Sequence, residues 1–357
     1  MPPLADPAVR RVLLVRMRVG LGDLLCTLPA LHRLRAARPD VHVALATWER
    51  MRPVVERLGP AEGRPLVDEL LPFPGAAGIP DGPVDPAGWA AFTAAGRGFD
   101  LALQAYGDRP AANRVTAALG ARLTGGFAPT GWPVPPGAEA LHLRYPLDLH
   151  EAQRHVRLLE RLGLPAAGQA DTDAGMRFVL RPDDEAEHAA TLARHGLTPG
   201  GYAVLHPGAS AATRRWPVAR YAAVGDALAA DGLAVVLTGV PGEPQPAAVA
   251  AAMRAPAVDL TGATGLGGLA ALLRDAAVLV GNDTGSAHLA AAVGGRSVTV
   301  FLPGDPVRWA HGGPRHRALV PDVACAPCPH LVCPIEFRCA RTIGPDAVLA
   351  AARELAA

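Results

Sequence analysis

The sequence predicts two doubly wound α/β domains, and three observations predict it. A strand-like apolar run, a glycine-bearing loop and an apolar-periodic helix follow one another from Arg11, and the same alternation restarts at Tyr202. Between the two lies a stretch of small and acidic residues, Pro165 to Asp173, with the composition of a linker. The length, 357 residues, is great for one core and ordinary for two. The expected domains are residues 1–170 and 171–357.

In order, Arg11-Val-Leu-Leu-Val15 suits a buried parallel strand, and the apolar period from Asp23 to Ala37 suits a helix packed on it. Val41 to Ala46 reads as a strand, Trp48 to Leu58 as a helix, Phe99 to Gln104 as a strand and Asp108 to Leu119 as a helix. Two Pro- and Gly-rich segments, Pro72 to Gly88 and Ala128 to Gly137, are long enough to be functional loops. A helix from His150 to Leu162 precedes the linker. Beyond it come strands at Tyr202 to His206, Leu233 to Thr238, Ala277 to Val280 and Ser297 to Phe301. Helices are expected at Pro217 to Ala229, Gly267 to Asp275, after Asp283 and at Pro345 to Leu355.

Charge and hydropathy narrow the function. The 34 basic residues, all arginine, nearly balance 33 acidic ones, so the net charge of +1 gives no excess to favour nucleic acid or an anionic membrane. Half of the residues are hydrophobic, yet charged residues, Gly or Pro interrupt every apolar run before it reaches a membrane-spanning length. Met1 to Arg11 lacks the basic start and apolar core of a secretory signal, so a cytoplasmic, soluble protein acting on small molecules is expected.

Ligands of open parallel sheets bind beyond the carboxyl ends of the strands, which directs attention to three loops. In Arg16-Met-Arg-Val-Gly-Leu-Gly-Asp23, Gly20 and Gly22 allow close backbone approach and Asp23 stands at a helix start. Asp23 is there either a helix cap or a reactive carboxylate. No third glycine follows, which disfavours a dinucleotide fingerprint. In Gly281-Asn-Asp-Thr-Gly-Ser-Ala-His288 the amides of Thr284, Gly285 and Ser286, the Thr284 and Ser286 hydroxyls and the helix dipole make an anion site suited to a diphosphate, the alternative being a structural turn capped by Asp or Thr. His288 would donate a hydrogen bond to phosphate. In His206 to Pro217, Arg214 or Arg215 can reach a diphosphate, or both form a solvated face.

A fourth constellation is Cys325, Cys328, Cys333 and Cys339, spaced C-x2-C-x4-C-x5-C in a Pro-rich segment. In a cytosolic chain such clustering suits a structural zinc or iron ion, with reduced structural thiols as the other reading. Cys26 reads as core.

Taken in order, Arg16 to Leu31, His206 to Pro217, the turn Leu237-Thr-Gly-Val-Pro-Gly-Glu243, Asn282 to His288, Phe301 to Pro306 and the cysteine segment resemble glycosyltransferase family 9, the ADP-heptose:lipopolysaccharide heptosyltransferases. The resemblance implies a GT-B fold, two Rossmann-like domains facing across a cleft, with acceptor in the N-terminal domain and nucleotide-sugar donor in the C-terminal one. It implies inverting transfer of a sugar, usually heptose from ADP-heptose, to a hydroxyl of lipopolysaccharide core, another glycan or a natural product. Asp23 then becomes the base that deprotonates the acceptor. Asp283, Thr284, Gly285 and His288 hold the donor sugar and its phosphates, Arg214 offsets the charge of the leaving diphosphate where relatives carry Lys, and Glu243 binds the ribose. No catalytic cofactor is implied. A place in the cytoplasm, peripheral at the inner membrane and without a transmembrane segment, would suit such an enzyme. Phe301-Leu-Pro-Gly-Asp305 departs from the commoner Phe-Gly-Pro-Thr-Asp pattern. Two other readings fit the same loops: a nucleotide-sugar epimerase, which would convert donor without acceptor, and a non-catalytic sugar-binding relative, which would release no nucleotide.

Overall fold

A computed structural model describes residues 1–18, 20–59, 63–80 and 82–357. Val19, in the first glycine loop, and Asp81, in the segment from Pro72 to Gly88, lie outside the described residues. The chain forms two compact units, Met1–Val179 and Leu180–Ala357.

The first unit carries a six-stranded parallel sheet of β1 (Arg11–Val15), β2 (His42–Thr47), β3 (Glu69–Pro72), β4 (Leu101–Gln104), β5 (Leu123–Ala128) and β6 (His142–Arg144), in the order β3-β2-β1-β4-β5-β6. β1 is central: Val12 pairs with Val43 on one side and Leu101 on the other. Its residues Val12 to Val15 are buried, as a strand covered on both faces requires.

The expected helix from Asp23 to Ala37 is two helices, Leu21–Leu25 and Leu28–Ala37. Pro29 has no N–H to give to the carbonyl four residues back, so the helix cannot run through, and Thr27 Oγ1 donates to Leu24 O at 2.6 Å in the bend. Similarly, the expected helix from Trp48 to Leu58 shrinks to a 3₁₀ turn at Glu49–Met51 and a single turn at Arg52–Val55, with Pro53 at the start of the second. Part of the expected linker is helical: Gln169–Gly175 packs on Leu28–Ala37. Gly175 lies so close to Pro29 that a Cβ there would stand 2.9 Å from its Cα.

The second unit repeats the plan with β7 (Tyr202–His206), β8 (Ala234–Leu237), β9 (Ala257–Asp259), β10 (Val278–Asn282), β11 (Ser297–Val300) and β12 (His316–Leu319), all parallel, in the order β12-β11-β10-β7-β8-β9. Its core gathers Leu205, Leu237, Val280 and Val300 from the strands with Trp216, Tyr221 and Val348 from the loops and helices. Removing that apolar surface from water is the main term favouring the unit. Each sheet is thus doubly wound, with the strand order of a Rossmann fold. Among the described residues no helix is long and apolar enough to cross a membrane.

Candidate functional site

In each sheet the strand order reverses between two neighbours, β1 and β4 in the first, β7 and β10 in the second. The loops leaving those strands diverge and open a crevice at their carboxyl ends. Every loop singled out from the sequence, apart from the cysteine segment, leaves the carboxyl end of a strand, and three of them leave strands at these reversals.

In the first unit Asp23 does not cap its helix. The cap position belongs to Gly20, and Asp23 sits at the third helical residue. Its carboxylate folds back over Gly20, where a Cβ would meet Oδ2 at 2.5 Å, so the close approach expected of this glycine is made to the carboxylate itself. Gly22 is buried within the same turn. Two guanidinium groups flank Asp23. Arg16 Nη2 lies 3.4 Å from Oδ1 and Arg18 Nε 3.6 Å from it, while the carboxylate side chain keeps 20% of its surface exposed. Arg18 in turn stacks on Tyr106 at 4.2 Å. The loop after β4 is fixed by Gln104, whose Nε2 donates to Gly107 O at 2.8 Å and whose Oε1 accepts from the amides of Tyr106 and Gly107.

In the second unit Asn282, fully buried at the end of β10, binds the loop after β7. Its Nδ2 donates to Pro207 O at 2.8 Å and Gly208 O at 3.2 Å, and its Oδ1 accepts from Trp216 N at 3.0 Å. The helix expected after Asp283 is Gly285–Ala292. Thr284 is its cap residue yet makes no side-chain cap bond, and its Oγ1 lies 3.0 Å from Ser286 Oγ. The amino end of the helix is therefore not closed off by its own threonine. Arg214 Nη1 donates to Asp283 O at 3.5 Å, which brings Arg214, Asp283, Thr284, Gly285 and Ser286 together. Gly304, in the segment that departs from the commoner pattern, lies directly against Asp283, and no Cβ would fit there. Asp305 caps the short helix Pro306–Trp309.

Three further expected residues make contacts within their own unit. Arg215 turns to its own loop, its Nε donating to Ala209 O at 2.9 Å, so it braces the loop. His288 lies inside the helix, 4% exposed, with Nδ1 at 2.8 Å from His311 Nε2. Glu243 lies against Gly208 and Gly239, between the loops after β7 and β8, and its Oε2 accepts from Val240 N at 3.3 Å. Beside it burial pushes His206 down to about 4, so the ring is neutral, with Nδ1 3.0 Å from Thr238 Oγ1.

Cys325, Cys328, Cys333 and Cys339 line one cavity of about 110 Å³ together with His330. Burial pushes the Cys339 thiol up, and neighbouring Cys325 and Cys333 add to the effect. Among the described residues, however, no three His, Cys, Asp or Glu side chains are gathered closely enough to share a metal ion. The segment is tied to the loops after β7 and β11: Thr213 Oγ1 donates to His330 O at 3.1 Å, and Cys328 N to Pro303 O at 2.8 Å. Cys26 is buried, as expected of core.

Sequence reasoning passed over Asn282, although it stands beside Asp283 after an apolar strand, where a buried amide commonly ties two loops. It also passed over Arg16 and Glu151, which meet across 135 residues of chain without any local pattern.

Residues 114–337 match the family described as glycosyltransferase family 9 (heptosyltransferase), a span that contains the loops of the second unit and begins after Asp23. A comparison with curated proteins returned no match. Among solved structures, a glycosyl transferase family 9 protein from Veillonella parvula is 20% identical with a TM-score of 0.76, covering 97% of each chain. Escherichia coli ADP-heptose LPS heptosyltransferase II is 18% identical with a TM-score of 0.69, covering 97% of this chain and 98% of that one. The iron-containing dodecameric glycosyltransferase TibC from enterotoxigenic E. coli is 14% identical with a TM-score of 0.57, covering 97% of this chain and 76% of that one. These likenesses show the GT-B-like α/β fold.

Proposed function

Since the chain belongs to glycosyltransferase family 9, the heptosyltransferases, and is a glycosyltransferase by that membership, we propose that it moves heptose from ADP-heptose to an acceptor hydroxyl with inversion at the anomeric carbon. The observation that carries this reading is the open amino end of helix Gly285–Ala292, with Arg214 held beside it and Asn282 fixing both loops. Unpaired amides, a helix dipole and a guanidinium are the groups a leaving diphosphate needs. Thr284, Gly285 and Ser286 hold the phosphates, Arg214 takes up charge as it develops, Asp283 and His288 lie on the sugar side, and Glu243 takes the ribose hydroxyls. The second unit is thereby the donor domain and the first the acceptor domain.

Asp23 is the base. As the acceptor oxygen bonds to the anomeric carbon its proton passes to the Asp23 carboxylate, the bond to the β-phosphate oxygen breaks, and ADP leaves with that electron pair. The likeness to the E. coli ADP-heptose LPS heptosyltransferase supports ADP-heptose as donor and a lipopolysaccharide-core or related glycan as acceptor. A cytoplasmic place, peripheral at the inner membrane, fits such an acceptor. Melting the protein with ADP-heptose, ADP-glucose, GDP-mannose and UDP-N-acetylglucosamine tests the donor. A ligand at about 100 times its Kd stabilises by roughly 2.7 kcal/mol, so ADP-heptose should raise Tm by several degrees and the others far less. A larger rise with a UDP or GDP sugar would overturn the donor assignment.

The cysteine segment is the candidate site of a structural zinc or iron ion, supported by four thiols on one cavity and by the iron of TibC. Cys325, Cys328, Cys333 and Cys339 would hold it, and its effect would be to stiffen the segment that Thr213 and Pro303 lean on. Metal analysis of purified protein should then give about one zinc or iron per chain, lost in Cys328→Ser together with part of the ADP affinity. Metal-free protein with full ADP affinity would contradict this.

A further inference from the structure

Beneath Asp23 lies a buried ionic chain that the proposed mechanism does not use. Arg16 and Glu151 are both 0% exposed and Arg154 is 1% exposed. Arg16 Nη1 donates to Ala105 O at 2.9 Å and Tyr106 O at 3.1 Å, which ties the loop after β1 to the loop after β4. Its Nη2 donates to Asp23 O at 3.0 Å and to Glu151 Oε1 at 3.0 Å, besides facing Asp23 Oδ1. Glu151 Oε2 accepts from Tyr145 OH at 2.9 Å and from Arg154 Nη1 at 3.4 Å, and Arg154 Nη1 also donates to Tyr145 OH at 2.6 Å. His155 Nε2 stands 3.6 Å from Glu151 Oε1.

Such a chain is poor value for stability alone. Withdrawing several charges from water costs free energy that pairing recovers only when every partner is in place, and apolar side chains of the same volume commonly do as well. What an apolar filling cannot do is hold a carboxylate. One nitrogen, Arg16 Nη2, serves both Glu151 and the Asp23 turn, so the helix Glu151–Arg161 fixes the guanidinium and the guanidinium fixes Asp23. Glu151 takes up part of the Arg16 charge. Without it that charge bears on Asp23 alone and draws the carboxylate down onto the guanidinium, away from its exposed side.

We infer that Arg16 and Glu151 are positioning residues for Asp23: Arg16 aims the carboxylate and Glu151 keeps Arg16 from capturing it. This rests on the assignment of Asp23 as the base. Steady-state ADP release is measured for wild type, Asp23→Asn, Arg16→Gln, Arg16→Lys, Glu151→Gln and Tyr145→Phe, with ADP-heptose affinity and Tm read separately. Arg16→Gln should lower kcat by roughly 30- to 100-fold and Glu151→Gln by about 10-fold, within the range of losing one oriented group at a reacting centre. Donor KM should stay within about twofold, Arg16→Lys should restore part of kcat, and Tyr145→Phe should follow Glu151→Gln more weakly. A merely structural chain would lower Tm and leave the kcat of the folded fraction unchanged. If Asp23→Asn turns over like wild type, the base assignment fails. If Asp23→Asn is inactive while folded Arg16→Gln and Glu151→Gln keep full kcat, this inference alone fails. Should Arg16→Gln not fold, the near-isosteric Glu151→Gln and Tyr145→Phe decide the question.

Discussion

Asp23→Asn is expected to lower kcat by about 10²- to 10⁴-fold, the range of a lost general base, while ADP-heptose affinity stays within about twofold. The substitution keeps shape and leaves the helix Leu21–Leu25 intact, because its cap is Gly20 and not Asp23. It removes the negative charge and with it the ability to accept a proton. Arg16 and Arg18 would still face the amide oxygen, so the variant should fold with a Tm near that of wild type. ADP release by stopped assay and ADP-heptose binding by calorimetry separate the two effects. A variant that binds donor normally and turns over at the wild-type rate would remove Asp23 from the mechanism.

The largest expected loss of stability is at Trp216. It is 2% exposed, packs edge-on against Tyr221 with ring centroids 5.1 Å apart, and its indole N–H donates to Ile343 O at 3.0 Å. Its backbone N–H is the donor that Asn282 Oδ1 accepts. Trp216→Ala would leave a cavity in the core of the second unit and take away one of the two donors to Ile343 O, the other being Arg220 Nη1, at a cost of about 3–5 kcal/mol. The cavity also loosens the segment carrying Arg214, so ADP affinity should fall beyond what global unfolding explains. Denaturant unfolding gives the first quantity and calorimetry at a temperature where the variant is folded gives the second. A loss below about 1 kcal/mol would mean that the neighbours close around the gap.

How much of this was legible in the sequence follows from where the information lies. The central strands β1, β4, β7, β10 and β11 announce themselves because parallel strands buried on both faces need uninterrupted apolar runs. The edge strands β3, β6, β9 and β12 did not, since they are short and half-buried, with Glu69, His142, Asp259 and Arg317 among their residues. The break before Leu28 was written in Pro29, which the helical period masked. Among the site residues, those on a single loop could be read from glycines and helix starts, and the resemblance gave them roles. Glu151 could not, because nothing in its own neighbourhood shows that its carboxylate meets Arg16. Arg215 shows the converse: two adjacent arginines look alike in sequence, and only the fold sends Arg214 toward Asp283 and Arg215 toward Ala209. The cysteine spacing was plain, but spacing does not set the distance between thiols, and in this fold they share a cavity without gathering at one point.

The most direct test of the central claim is the release of ADP from ADP-heptose in the presence of a deacylated lipopolysaccharide-core acceptor, followed side by side for wild type and Asp23→Asn, with the anomeric configuration of the product read by NMR. The account predicts acceptor-dependent ADP release by wild type, a product of inverted configuration, and at least a 10²-fold slower release by Asp23→Asn. Release at equal rates by the two proteins, or a product that retains the donor's configuration, would contradict it.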